Sequence, residues 1–583
     1  ERGTSAYNGK FSGKLHLRAP RTPANTDLLV AALDGTILDA SSILVEGYKL
    51  YDLTATSGTI TGALQTSIRN DSTAFLGASG STIAGYNSIA NRLLANNPAL
   101  AARLVLAPGV EILNRSGDLT LGSASSTTTS DWNLAADRYG PKSAAGVLTL
   151  RAAGNLHFYN ALSDGFAPTL ANTDTAWLWT ARLSPQGNLL PVNEQSWSYR
   201  LTAGADLGAA SFGEVVSIAG LAADKGSLKL GKTGTNISTT SGVNATTASA
   251  IANRFQVIRT GSGDIDIHAA RDVQLLNQFA TIYTAGTRVA DVSLGGLFRI
   301  PLISNVSSGA LGGNQQTYAV QYSMAGGNVN LRAGKDIERL TLSAGQLVAD
   351  SQFQMPTNWL YRRGYVDDTG AFGTDRFNFA SSTTWWVDFS NFFQGVGALG
   401  GGNATLVAGR NVSNVDAVIP TNARMPGYTD STQSRNAAPD ISKLVELGGG
   451  DLVVRAGNDI DAGVYYIERG RGTLRAGGEI LTNATRSVLN RTQTLTSSFT
   501  RLPTTLFLGK GGFDVSANGS VLLGPVANPF LLPAGQLNSF YNKSTYSTYS
   551  ADSRVTVSSL GGDVTLRESA AEGGVTALPI GME

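Results

Sequence analysis

Residue types that could carry chemistry are sparse in this chain. It holds three histidines in 583 residues and no cysteine. His16, His157 and His268 lie far apart, and none opens a His-x-x-x-His pattern of the kind that binds metal. The lack of thiols excludes disulfides and thiolate sites for zinc or iron–sulfur clusters. Each histidine is therefore read as an exposed or ladder-bonded side chain on the polar face of a strand.

Paired carboxylates are the next candidates, because acid–base catalysis or a calcium cage needs two or more of them facing one groove. Asp264 and Asp266 share one face of a strand, with Arg259 or Arg271 nearby in sequence. Asp459 and Asp461 form a similar pair, and Asp367, Asp368 and Asp375 could gather a cation. Yet Asp or Asn opens a short strand in most copies of the repeat described below, where capping a turn accounts for it without chemistry. No Gly-x-Ser-x-Gly elbow, phosphate-cradling loop or dinucleotide fingerprint occurs in a strand–helix context. Neither a metal nor a cofactor is expected.

Aromatic side chains offer the better clue. Trp177 and Trp179 are separated by one residue, and Trp359, Tyr361, Tyr365, Trp385, Trp386, Phe389, Phe392 and Phe393 crowd a second region. Rings stack on the apolar faces of sugars, and loops over a rigid scaffold are common binding surfaces. Trp177, Trp179, Trp359, Tyr361, Trp385, Trp386 and Phe389 are the ligand-contacting candidates. The competing expectation is that they pin a long excursion to the scaffold as a satellite core.

A short repeat must position these residues. It runs glycine turn, alternating strand, Ala-Gly corner, then a second strand opened by Asp or Asn. Gly326-Gly327-Asn328-Val329-Asn330-Leu331-Arg332-Ala333-Gly334-Lys335-Asp336-Ile337 is one copy, and Gly449-Gly450-Asp451-Leu452-Val453-Val454-Arg455-Ala456-Gly457-Asn458-Asp459-Ile460 is another. Val329 and Leu331 face one way, Asn330 and Arg332 the other, because strand side chains alternate. A single unit cannot bury its apolar face, but stacked units can. The Ala-Gly pairs suit a corner that needs a small side chain or a positive φ. The expected fold is all-β: a right-handed parallel β-helix (β-solenoid) with long loops and short helical insertions, continuous over residues 1–583. Helical insertions are expected at 86–106, where Asn97-Pro98 resembles a cap before a first-turn proline, and at 246–256, with a third at Asp440–Leu447. Ile89-Ala90-Asn91-Arg92-Leu93 and Ile251-Ala252-Asn253-Arg254-Phe255 share a motif. Residues 350–398 form the aromatic-rich insertion. Coils of about 25–35 residues would give roughly 17–23 turns and a rod of about 80–110 Å.

Charge is low and balanced, with 44 basic against 43 acidic residues, a net charge of +1 and 15% charged residues. Nucleic-acid binding by bulk electrostatics is not expected, and no apolar run is long enough for a membrane-spanning helix. The chain opens at Glu1-Arg2-Gly3 and enters the strand-like Lys14–Arg18 almost at once, so it is expected to be an internal segment of something longer.

Several stretches resemble one family. They are Leu106-Ala107-Pro108-Gly109-Val110-Glu111-Ile112 followed by Gly117-Asp118-Leu119-Thr120-Leu121, Gly146–Leu156, Trp197–Leu207, and Trp385-Trp386-Val387-Asp388-Phe389 with Gly395–Asn403. Together with the Gly-rich repeat they are similar to the large exoproteins of the filamentous-haemagglutinin family, secreted by the two-partner route. The resemblance implies a right-handed parallel β-helix, an outer-membrane secretion pore as partner during export, and location outside a Gram-negative cell. The family's amino-terminal secretion domain, with its Asn-Pro-Asn type signature, is not seen in these residues. No catalytic or binding residue is implied. The expected function is a secreted or cell-surface adhesin or structural rod acting in attachment, aggregation or biofilm contacts. Glycans or cell-surface proteins are its expected partners, and lateral self-association is a further expectation. The alternatives are a polysaccharide-degrading β-helix enzyme and a passive stalk presenting another domain.

Overall fold

The computed structural model describes residues 13–35, 37, 40–124, 132–165, 190–192, 194–233, 256–276, 280–289, 322–349, 394–424, 444–481, 487–488, 504–531 and 547–566, with short pieces between 352 and 392. Trp177, Trp179, Asp367, Asp368, Asp375 and residues 246–255 lie outside them.

Three parallel sheets run along the chain. Sheet A has twelve strands from Lys14–Pro20 to Arg554–Ser559, and sheet B runs from Thr59–Ile60 to Val564–Leu566. Sheet C has nine strands from Trp132–Asn133 to Val526–Ala527. One coil visits them in turn: Leu452–Ala456 in A, Ile460–Asp461 in B, Val464–Ile467 in C, then Arg471–Ala476 back in A. This is the expected parallel β-solenoid. Among the described residues its twelve rungs in sheet A, at roughly 4.8 Å each, span about 50 Å.

Strand alternation builds the core. In Leu452–Ala456 the first, third and fifth side chains are buried, Val453 is half-buried and Arg455 is exposed. In register, Leu148, Tyr199, Ile265, Val329, Ala404 and Leu452 form one inward row of sheet A, and Leu150, Leu201, Ile267, Leu331, Leu406 and Val454 form the next. The rows fuse into one continuous core. Sheet C departs from alternation: Val464–Ile467 and Thr505–Leu508 are buried throughout. Ile467, Leu506 and Leu508 face the main core, while Tyr466 and Phe507 face a second apolar cluster outside the sheet. Strands covered on both faces read as continuous apolar runs.

The Ala-Gly corners stack on one another. A Cβ on Gly409, Gly457 or Gly477 would come within 2.1–2.2 Å of the carbonyl oxygen of the corner glycine one coil earlier. None of the three has a positive φ. Glycine is required here by the close approach of coils, not by a left-handed backbone.

The helical regions differ from expectation in place and extent. Helix α1 (Gly62–Leu76), which the sequence reading did not anticipate, buries Ile68, Ser72, Phe75 and Leu76 and is capped by Thr61, whose side chain accepts the Leu64 N–H. The expected 86–106 insertion is helix α2 (Ala84–Leu93) plus a 3-10 turn at Pro98–Leu100, and the chain is already a strand from Leu104. Asn97 precedes the proline, but its side-chain amide donates to the Leu33 carbonyl instead of capping the turn. Arg92 of the shared motif ties α2 to Asp27 at 2.7 Å and to the Val30 carbonyl at 2.7 Å. Gln256 begins the strand Gln256–Thr260, so the second expected helix cannot extend to it. Of the third, Val445–Gly448 is a strand paired antiparallel with Thr421–Arg424; ladder pairing there overrides local helix propensity.

Candidate functional site

Of the aromatic candidates that the structure describes, Trp359, Trp385 and Phe389 are walls of the second core. Trp359, Trp385, Trp386 and Phe389 are all buried, Trp385 completely. Trp359 meets Phe392 edge-on at 5.2 Å and Tyr466 at 6.3 Å, and Trp385 lies 5.2 Å from Phe530. The Trp385 indole N–H donates to Thr421 Oγ1 at 3.0 Å. Tyr361 pairs through its backbone with Trp386, in the antiparallel strands Leu360–Arg363 and Thr384–Val387. Of the two roles expected for these rings, the burial of Trp359, Trp385, Trp386 and Phe389 in this arrangement accords with pinning the excursion rather than with open contact to a ligand. The packing of Trp359 on Phe392 and Tyr466 holds these described pieces against sheet C.

The carboxylates belong to ladders that run from coil to coil. Asp118 Oδ1 accepts the Asn155 N–H (2.7 Å), and Asn155 Oδ1 accepts that of Ser227 (2.9 Å). The same step recurs from Asp272 to Asp336 (3.2 Å), Asp336 to Asn411 (3.0 Å), Asn411 to Asp459 (3.1 Å) and Asp459 to Glu479 (2.8 Å). A parallel ladder at the start of the sheet A strands links Asp264 to Asn328 (2.7 Å), Asn328 to Asn403 (2.9 Å), Asn403 to Asp451 (2.8 Å) and Asp451 to Arg471 (2.8 Å). The repeated Asp or Asn thus caps the next coil rather than its own turn, and Asp264 and Asp459 act in that role. Asp266 accepts Asn330 Nδ2 at 2.8 Å; burial pushes its carboxyl up, against that hydrogen bond and with the Asp264 charge behind it. Neither expected basic partner faces this pair. Arg259 is buried in sheet C, donating to Ser163 and Tyr283, and Arg271 donates to the carbonyls of Lys225 and Ala222.

Among the described residues one trio of carboxylates, Asp272, Asp336 and Glu338, comes close enough to hold a cation. Burial pushes the carboxyls of Asp272 and Glu338 up, and the trio is bonded by Arg410, Gln274 and the ladder N–H groups.

The histidines are structural neighbours of charge. His16 Nε2 lies 2.9 Å from Glu46, and His157 lies 3.4 Å from Asp118 and stacks on Tyr159. His268 meets the Phe212 ring edge at 5.7 Å. Burial lowers the pKa of both His157 and His268, which favours neutral imidazoles.

Two ion networks were not anticipated. Glu46, fully buried, is met by His16, Arg18 (3.0 Å) and Arg200 (3.0 Å), and Arg18 reaches on to Glu111, which Arg151 also pairs at 3.3 Å. Burial pushes the Glu46 carboxyl up, but His16, Arg200 and Arg18 outweigh it and hold it below its ordinary value. Deeper in, Arg138 pairs with Asp164 at 2.9 Å, and Asp164 also accepts the Trp197 N–H at 2.6 Å. The available signal was a single acidic residue inside an otherwise apolar strand, as in Ile43-Leu44-Val45-Glu46.

Glu468 is a separate buried group. Its Oε2 accepts the Tyr466 hydroxyl at 2.8 Å. Burial, reinforced by the charge of Glu446, pushes its carboxyl up to about 8. An unfolded glutamate ionises near 4.5, whereas this one keeps its proton to about 8. The folded state therefore binds more protons in that window, and stability falls as pH rises through it, by at most about 1.4 kcal/mol per pH unit. Glu468→Gln should remove the slope. Thermal melts should show little difference from wild type near pH 4.5 and a growing advantage for the variant toward pH 8. An advantage that does not change with pH would remove Glu468 as its origin.

Compared with known proteins, the chain matches no family model, no curated protein and no solved structure.

Proposed function

We propose that this chain is a rigid contact rod: part of a secreted or cell-surface bacterial exoprotein of the filamentous-haemagglutinin type, exported through an outer-membrane pore. It would act by adhesion to glycans or surface proteins, without a reaction. The observation that carries this reading is the coupling of every coil to the next. Sheet A is unbroken over twelve strands, and between Asp264 and Glu479 the Asp/Asn ladders also clip the coils together at two corners. Such a stack is stiff along its axis and resists proteolysis, because few backbone groups are free to enter a protease. The enzyme alternative draws less support: its carboxylates serve as ladder caps, and the basic residues it needs point elsewhere.

The test incubates the folded protein with a panel of bacterial and host polysaccharides and scores protein retention and new chain ends in the same tubes. Retention without new chain ends is the expected result. New chain ends would replace this reading with the polysaccharide-degrading one, and neither signal across the panel would leave a passive stalk.

A further inference from the structure

The outer face of sheet A handles arginine differently along its length. In the amino-terminal rungs the outward arginines are paired: Arg18 with Glu46 and Glu111, Arg151 with Glu111, Arg200 with Glu46. Further along, Arg332, Arg455 and Arg475 occupy one register position over four consecutive rungs, with Val407 on the second. All three are exposed. Among the described residues none of them makes an ion pair or side-chain hydrogen bond. Arg455 and Arg475 are direct neighbours in the ladder, at roughly 4.8 Å per rung. Like charges directly opposite one another destabilise a sheet, so this row carries a cost that an anionic ligand would relieve.

The surroundings define a track. Toward the amino-terminal end the same register row passes through Arg151, Thr202 and His268. There a loop lies on it: Arg151 donates to the Asp206 carbonyl at 2.6 Å, Thr202 to the Phe212 carbonyl at 2.7 Å, and Phe212 packs against His268. The row beside the arginines is uncharged over the same four rungs, as Asn330, Thr405, Val453 and Thr473. Carboxylates stand only at its two ends, Asp266 bonded to Asn330 and Asp514 paired with Arg471 at 2.6 Å. The result is an uncharged row edged on one side by a single file of cations parallel to the rod axis, with the exposed Asp451 the carboxylate on its other side.

We propose that this row binds a linear carboxylated polysaccharide, a polyuronate, laid along the solenoid axis. A guanidinium matches a carboxylate in two-point geometry, and a polymer with one carboxylate on each sugar presents acids in single file, as the row presents cations. Thr405, Val453 and Thr473 leave the sugar rings a smooth surface. Duplex nucleic acid fits worse, because a net charge of +1 supplies no field to hold a dense phosphate array. The assignment rests on the contact-rod reading and gives it a ligand class.

The probe is immobilised polygalacturonate, with its fully methyl-esterified form as the uncharged counterpart and duplex DNA as a second polyanion. Wild-type protein should be retained by the free acid at low salt and not by the ester. The double variant Arg455→Gln, Arg475→Gln should lose binding on the order of tenfold or more, since removing two of three cations removes most charge-assisted contacts and their avidity. Arg115→Gln with Lys225→Gln removes the same charge from ion pairs outside the row and should bind as wild type. Circular dichroism and melting confirm that both pairs fold. Equal binding by the Arg455/Arg475 variant, or equal retention on DNA, would overturn the proposal. If the protein is retained by other glycans of the panel but not by polygalacturonate, this site fails while the adhesive reading stands; if nothing retains it, both fail.

Discussion

Gly457→Val is expected to cost about 3 kcal/mol or more and to lower the denaturation midpoint of the rod. A Cβ at this position would lie 2.1 Å from the Gly409 carbonyl oxygen, and 2.9 Å from its carbon. The obstructing atoms are backbone, so no rotamer change can relieve the overlap. The coils must separate by about an ångström, and that lengthens the neighbouring hydrogen bonds, Gly457 N–H to Ala408 and Gly477 N–H to Ala456, both 3.0 Å. Because stacked coils are coupled to nearest neighbours, the damage should centre on the coils that contain Gly409, Gly457 and Gly477. Urea denaturation gives the magnitude, and hydrogen exchange gives the location. Gly62→Ala is the control: its Cβ meets nothing within 4 Å at the start of α1, so it should leave stability unchanged or slightly raised. A Gly457→Val protein that unfolds with wild type would show that the corner stack is looser than its geometry implies.

The fold was legible because its grammar is local. Two-residue alternation in Val329–Ala333 and Leu452–Ala456 marks which side chains enter the core, and the Gly-Gly and Ala-Gly punctuation marks where each strand ends. The meaning of that punctuation was only half legible. Ala-Gly could signal a left-handed residue or a tight approach, and only the stacking of Gly334, Gly409, Gly457 and Gly477 distinguishes them. The opening Asp and Asn residues read as turn caps, yet their partners are N–H groups 20 to 75 residues later, one coil away. Irregular coil length hides such pairing from any fixed-period search. Helix α1 was missed because Gly62–Leu76 is rich in Ser, Thr, Asn and Asp, residues that favour turns in isolation; its apolar face, Ile68, Phe75 and Leu76, is earned by packing on the end of the core. The arginine row was invisible because its members are separated by 123 and 20 residues in sequence and meet only through register.

The double substitution Trp385→Ala, Trp386→Ala should release the aromatic excursion from the rod. Trp385 is fully enclosed between Phe530 and the strand Thr421–Arg424, and its indole N–H holds Thr421 Oγ1. Truncating a buried tryptophan costs about 3–5 kcal/mol through lost apolar burial and the cavity left behind. For Trp385 the loss falls on the satellite core outside sheet C, which shares that sheet with the main core but not its interior side chains. Sheets A and B should therefore keep their ladders while the excursion and the Thr421–Arg424 and Val445–Gly448 strands open. Limited proteolysis should then cut first within residues 350–450, with cleavage at least tenfold faster than in wild type if opening governs the rate. The rest of the rod should remain a resistant fragment. This outcome separates the two roles weighed for these rings. If the doubly substituted protein keeps its protease pattern but loses retention on a glycan, Trp385 and Trp386 contact ligand and must leave the core to do so. If cleavage appears while polygalacturonate binding persists, the rings hold the excursion in place and ligand contact belongs to the outer face of sheet A, where the Arg332–Arg475 row lies.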